Sequence, residues 1–392
     1  MISVCFKNIF LYFCIWFKIL NNMKNVGVIS MGIKAPIVKE GDDLADIVVK
    51  SVLEATWNGY TNKYDLNDRD VLGITESIVA RNQGNYVTVD EIAEEIKKKF
   101  NNPDVIVVDR PIYSRNRFSM ILKAIARAAG SGVIFIMPEI DEVGNPSGVN
   151  PWTGVDIGDY YMMICFKEGK QVQFVSPYSN YSVPQGVNVA HLYCGLHDYQ
   201  GWYDEHCPAD ERESGEFQHL TLANICSDKC EYGLLGSNKA TEEMLKLFPN
   251  KEKAQKLVED IQERILKQTG KKIEVCVYGD GAFKDPVANI WEFADPITMP
   301  AYTNSELFES SPNEIKIKYL ADNKYGNLKG EELNEAIQKE IENVKGNSLK
   351  GNMISEGTTP RLYRDLLASL MDLTSGSGMR ATPFVLIKNY FN

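Results

Sequence analysis

Apolar residues recur along the chain in two rhythms. Leu44, Ile47, Val48 and Val52 repeat at helical spacing between about Asp42 and Ala55, with Asp42 and Asp43 at the positive end of that helix. Thr88 and Glu91 form a capping-box pattern ahead of Ile92, Ile96 and Phe100, and Lys97, Lys98 and Lys99 close the helix. Residues 252–269 align Ala254, Leu257, Val258, Ile261 and Ile265 on one face, with Gly270 as the stop. A further helix is predicted near Ser119–Ala129. Near the end, Thr359-Pro360 supplies an N-cap and a first-turn proline for a helix whose apolar face is Leu362, Leu366 and Leu370. Short apolar runs predict strands at Val26–Ser30, Asp70–Ile74, Val105–Val108, Val133–Met137, Ile273–Val277 and Pro383–Ile387. The segment Pro138–Pro184, rich in Gly, Pro and Tyr, reads as short strands and loops. Glu314–Lys345, rich in Lys and Glu, reads as a solvated surface segment. Helices and strands mix throughout, so the expected class is α/β or α+β.

Residues 1–22 differ from everything that follows. Their apolar run Ile9–Phe17 is shorter than the roughly 20 residues a membrane span needs, and no small-residue cleavage site follows it. Met23 is therefore read as the natural start and 1–22 as an upstream extension, with an interfacial anchor as the alternative. The 392-residue chain carries 42 Lys+Arg against 53 Asp+Glu, a net charge of −11. That balance argues against broad nucleic-acid binding and leaves room for a local basic pocket. None of the eight cysteines forms a C-x-x-C pair, and Cys276 sits in an apolar strand as a small hydrophobe. A reducing cytoplasm and no membrane follow as expectations.

Four strand ends followed by small or polar residues are the candidate chemistry: Gly32-Ile33-Lys34, Glu76-Ser77 with Arg81, Gly236-Ser237-Asn238, and Gly279-Asp280-Gly281. Turns of this kind expose backbone N–H groups to phosphate oxygens, Lys34 and Arg81 bring positive charge, and Asp280 suits a divalent ion. Segments MGIKAPIVKEGDDLADIV, DVLGITESIVARNQGNYV, YGLLGSNKA, ILKQTGKKIEVCVYGDGAFKDP, SEGTTPRLYRDLLASLMDLTSG and TPFVLIKN together resemble the coenzyme F-420:L-glutamate ligase, or gamma-glutamyl ligase, family.

The resemblance implies an α+β fold of mixed sheets and packed helices in a two-domain, dimer-forming architecture. It implies a C–N bond-forming ligase that uses GTP and Mg or Mn. Such a ligase joins L-glutamate to a small anionic carboxylate acceptor, a deazaflavin precursor, through an acyl phosphate. On this reading Gly32, Ile33, Lys34, Glu76, Ser77, Arg81 and Asn238 contact the nucleotide, while Asp280 and Glu356 hold the metal. Glu76-Ser77 stands where the family has Ser-Lys, so one lysine is missing, and Arg81 replaces a second. Leu235 and Gly281 stand at an aspartate and a threonine of the family pattern. Residues 23–106 and 226–392 are then the two parts of the ligase-like domain, and 107–225 is a divergent insert. A related amide ligase with another acceptor, and a nucleotide- or metal-binding protein without catalysis, are the alternatives.

Two constellations lie outside the resemblance. His191, His197, His206 and His219 all fall among Cys194, Cys207, Cys226 and Cys230. Imidazole and thiolate are zinc ligands, which makes His191, Cys194, His197, His206 and Cys207 a candidate structural zinc cluster. The spacings match no established zinc pattern, and the other reading is a packed, hydrogen-bonded insert. Arg110, Arg115, Arg117, Lys123 and Arg127 suit an anionic substrate tail, or else form a solvated helix face.

Overall fold

The first and last strands meet although they lie at opposite ends of the chain. In the computed structural model, which describes residues 27–391 except 60–62, 114–116, 143–144, 151–153, 178, 180, 196–217, 280–297, 313–315, 344–360 and 376–380, β1 (Ile29–Ile33) runs antiparallel to β15 (Phe384–Lys388). The predicted glycine turn Met31-Gly32-Ile33-Lys34 is therefore strand as far as Ile33, with Gly32 opposite Val385. A Cβ on Gly32 would lie 3.0 Å from Thr382 Cβ, so the glycine admits a close neighbour instead of reversing the chain.

β4 (Val71–Thr75), β13 (Glu274–Tyr278) and β14 (Ala301–Tyr302) complete a mixed sheet in the order β1-β15-β4-β13-β14, in which β4 and β13 are parallel. Leu72, Ile74, Val275 and Val277 face helix α1 (Leu44–Thr56) and the long helix Lys251–Thr269. Asn250 caps the long helix, and Gly270 ends it at φ 71°. On the other sheet face, Val71, Cys276 and Val385 meet helix Tyr363–Ser375. That helix starts at Tyr363, later than expected, and buries Leu367, Ala368 and Met371, while Leu362, Leu366 and Leu370 are half-buried. Thr359 and Pro360 lie outside the described residues. Gly73 makes this packing possible, because a Cβ there would lie 2.2 Å from Met371 Sδ and 2.8 Å from the Tyr278 ring.

A second sheet is wholly parallel. β6 (Val105–Asp109), β7 (Gly132–Ile136), β8 (Gln171–Val175), β9 (Val189–Tyr193) and β10 (Gln218–Thr221) stand in the order β10-β9-β6-β7-β8. The stretch 107–225 thus supplies most of an α/β layer whose core it shares with residues 87–100 and 230–248. Helices Val89–Lys99, Arg117–Ala128 and Ile157–Lys167 cover one face. The first has the expected capping box: Glu91 N–H donates to Thr88 Oγ1 at 3.1 Å, and Thr88 N–H donates to Glu91 Oε2 at 2.7 Å. Such a cap stabilises by about 1 kcal/mol. Helix Ile157–Lys167 corrects the reading of Pro138–Pro184 as strands and loops. Asp156 caps it, and it buries Ile157, Tyr161 and Cys165 at four-residue steps.

A small antiparallel sheet joins these layers: β11 (Ser237–Thr241), β12 (Met244–Leu247) and β5 (Tyr86–Thr88). Val87, Leu245 and Leu247 enter the parallel-sheet core. Lys246, pointing the other way by strand alternation, reaches the helix that follows β4. Helix Gly330–Asn343 buries only Ile337, in keeping with a solvated segment. No described helix is long and apolar enough to cross a membrane.

Candidate functional site

β1, β4 and β13 end, and β15 begins, at one edge of the mixed sheet. A cleft of about 370 Å³ opens there, bordered by Ala35, Thr75, Ser77, Arg81, Tyr278 and Thr382. Ligand sites commonly occupy about 300–1,000 Å³. Ser77 and Arg81 sit one turn apart on α2 (Glu76–Asn82), and that spacing places both on one helix face. Both are exposed, as is Lys34, and neither Arg81 nor Lys34 makes an ion pair among the described residues.

The structure sorts the other candidates. Ile33 is 3% exposed, in the core, and Gly32 is packed against Thr382, so of that trio only Lys34 is free to face a ligand. Glu76 is buried and turns to Lys246, whose Nζ lies 3.2 Å from Glu76 Oε1 and donates to Ser77 Oγ at 2.6 Å. The side chains of Lys246 and Glu76 are 11% and 8% exposed. Asn238 lies directly opposite Lys246 in the β11–β12 register and therefore shares its sheet face. Ser77, Lys246 and Asn238 thus come together from three elements. Lys246 escaped the sequence reading. Its one local signal is a charge between two apolar residues in Met244-Leu245-Lys246-Leu247, while its partner Glu76 lies 170 residues away.

Asp280 and Glu356 lie outside the described residues. Asp280 follows Gly279, whose N–H donates to the Thr298 carbonyl at 2.9 Å just beyond the cleft residue Tyr278. No group of three or more His, Cys, Asp or Glu poised for a metal occurs among the described residues.

The His/Cys constellation divides. His191 and His219 are in register on β9 and β10, with rings 5.9 Å apart, and Tyr181 Oη lies 2.9 Å from His191 Nε2. Burial holds His191 down at about 3, helped by His219, and holds His219 at about 4, so both are neutral at pH 7. Cys194 is buried in the helix-covered core, on the sheet face opposite His191, and burial raises its thiol pKa. One ion cannot take both as ligands in this arrangement. His197, His206 and Cys207 lie outside the described residues. Cys226 and Cys230 are free and packed in the same core as Cys194.

The basic stretch also divides. Arg127 binds Glu168 at 3.0 Å and Asp90 at 2.6 Å, and Lys123 pairs with Glu243. Arg115 and the Arg117 side chain lie outside the described residues. Lys123 and Arg127 therefore tie elements together and leave little charge for a ligand.

Comparison with known proteins gives one match of whole-chain extent. The family model described as F420-0:Gamma-glutamyl ligase matches residues 32–389. No curated protein matches the chain.

Proposed function

Because the chain belongs to the F420-0:Gamma-glutamyl ligase family, we propose that it forms a gamma-glutamyl amide between L-glutamate and a deazaflavin F-420 precursor, using GTP. The observation that carries this reading is the cleft at the mixed-sheet edge, bordered by Ser77 and Arg81, with the buried Lys246 bonded to Ser77. An acceptor carboxylate is a poor electrophile. In this reading its oxygen attacks the γ-phosphorus of GTP, the bond to the β-phosphate oxygen breaks, and GDP leaves. The glutamate nitrogen then attacks the acyl carbon, sheds a proton and expels phosphate.

The residues present suit the first step. Arg81 and Lys34 offset the charge spread over the transferring phosphoryl group, and a positioned hydroxyl donor at Ser77 contributes without reorganising. Asp280 and Glu356 are assigned to a divalent cation, Mg or Mn, which supplies further positive charge to the phosphates when bound. The active form is proposed as a homodimer.

The test is direct. Purified protein is incubated with GTP, Mn, L-glutamate and deazaflavin precursor, and GDP and glutamylated product are measured. Equal amounts of GDP and product are expected. GDP release without the deazaflavin, dependent on another carboxylate, would move the reading to a related amide ligase. No GDP with any carboxylate would remove catalysis.

A further inference from the structure

We propose that Lys246 is a positioning residue that fixes the Ser77 hydroxyl as a hydrogen-bond donor to a phosphoryl oxygen in the cleft. The inference rests on the nucleotide reading above and adds a residue and a ligand group to it.

An ammonium carries three donors and no acceptor. In the Lys246–Ser77 bond the serine oxygen must therefore accept, at 2.6 Å. That leaves the Ser77 O–H pointed elsewhere, and no acceptor for it occurs among the described residues. Ser77 is exposed and borders the cleft, so the remaining direction is the ligand space. Donating to an ionised partner is the stronger kind of hydrogen bond, and the ammonium behind the oxygen polarises the O–H further.

The ammonium cannot leave its post. Its side chain is 11% exposed and is paired with the buried Glu76. Removing one member of such a pair strands the other charge in a poorly solvated place. Glu76 therefore does two things: it compensates the buried lysine and aims it at Ser77. Arg81, one turn along α2, borders the same space with a guanidinium that makes no ion pair among the described residues. A hydroxyl donor and a guanidinium about one helical turn apart suit adjacent oxygens of a polyphosphate better than a single carboxylate.

This arrangement also addresses the lysine that the family pattern places at Ser77 and that this chain lacks. Its positive charge arrives from β12 instead, and Ser77 relays it into the cleft as a donor.

The experiment measures binding of inorganic tripolyphosphate and of GTP by calorimetry, together with KM and kcat for GTP. The proteins compared are the wild type, Ser77→Ala, Lys246→Arg, the paired variant Glu76→Gln with Lys246→Met, and the triple variant that adds Ser77→Ala. The paired variant removes both buried charges at once and so avoids stranding one of them. Binding of both probes is expected to weaken about tenfold in Ser77→Ala and about equally in the paired variant, the size of one hydrogen bond to a charged group. The triple variant should lose no more than either, because both changes act through one hydroxyl. The KM for GTP should rise while the KM for glutamate stays constant, and Lys246→Arg should keep most of the affinity. Additive losses in the triple variant, or full affinity in a folded paired variant, would overturn the proposal. If tripolyphosphate binding follows this pattern while no GDP is ever released, the ligase reading fails and the positioning role stands. A wild type that binds neither probe overturns both.

Discussion

The two large sheets are built from different kinds of chain and finish their polar edges differently. The parallel sheet draws all five strands from one continuous stretch, and its polar ends are tied to one another. Tyr193, at the end of β9, donates to Glu142 at 2.7 Å, and a Cβ on Gly195 would lie within 2.6 Å of both side chains. The mixed sheet gathers strands from both chain ends, so that Ser30 meets Thr374 across 344 residues. At its edge Lys34 and Arg81 have no carboxylate partner among the described residues, and Arg81 borders the cleft. The difference teaches where to look for function: not where polar residues are many, but where they are left over. The His/Cys stretch is rich in potential ligands, yet among the described residues His191 pairs with Tyr181 and Cys194, Cys226 and Cys230 are packed in the core.

The contrast can be broken most forcefully with acid. All four histidines lie between residues 191 and 219, and of the two described ones His191 is buried and His219, beside it in the parallel sheet, is half-buried. Their folded-state values of about 3 and about 4 lie below the usual 6.5, so the unfolded chain binds more protons over that window. Stability is therefore fully present at pH 7 and falls as pH drops through 6.5 toward 4, by about 3 kcal/mol for His191 alone, with a further contribution from the less buried His219. Urea unfolding at pH 7 and pH 5 measures it, and His219→Leu should shrink the difference. Hydrogen exchange at pH 5 should show β9 and β10 losing protection before β4 and β13. A parallel sheet as well protected at pH 5 as at pH 7 would refute the burial argument.

A smaller loss is expected from Gly73→Ala. The new methyl group would overlap Met371 and Tyr278, and overpacking of this kind costs about 1–3 kcal/mol. The methionine can swing aside more readily than the tyrosine ring, which places the expected cost in the lower half of that range. The damage should centre on the mixed sheet and so reach the cleft residue Tyr278. Thermal melts with nucleotide binding check this: a lower Tm with weaker binding is expected, and unchanged binding would separate the cleft from the sheet packing beneath it.

Much of the architecture could be read from local chemistry. The capping box at Thr88 and Glu91 and the glycine stop at Gly270 are interactions within a few residues, and both were legible. Helix Ile157–Lys167 was not, because its aromatic and methionine residues blur the apolar face and only Ile157, Tyr161 and Cys165 are buried. Gly32 was misread as a turn because a glycine that admits Thr382 and one that reverses the chain look alike in sequence. Within the site, Ser77, Arg81 and Asn238 stand out in the sequence as polar residues in strand-end segments, and the family resemblance assigns them to a nucleotide. Lys246 was not, since its meaning depends on Glu76 and Ser77, 170 and 169 residues away. Contacts of that span leave no mark on a local pattern.

The smallest expected effect on stability is the sharpest test of the contrast. Arg81 is exposed and makes no ion pair among the described residues, so Arg81→Ala should change the unfolding free energy by no more than about 0.5 kcal/mol. Arg127, on the helix Arg117–Ala128 that covers the parallel sheet, is the opposite case: ion-paired to Glu168 and Asp90, it should cost stability when truncated and leave nucleotide binding alone. If the leftover charge at Arg81 serves the cleft, Arg81→Ala should weaken GTP binding about tenfold or more, with an affinity that becomes less sensitive to salt. Urea melts and GTP titrations at two ionic strengths on both variants decide it. Equal GTP affinity in Arg81→Ala and wild type would show that this guanidinium is surface charge and that unpaired cations do not mark the site.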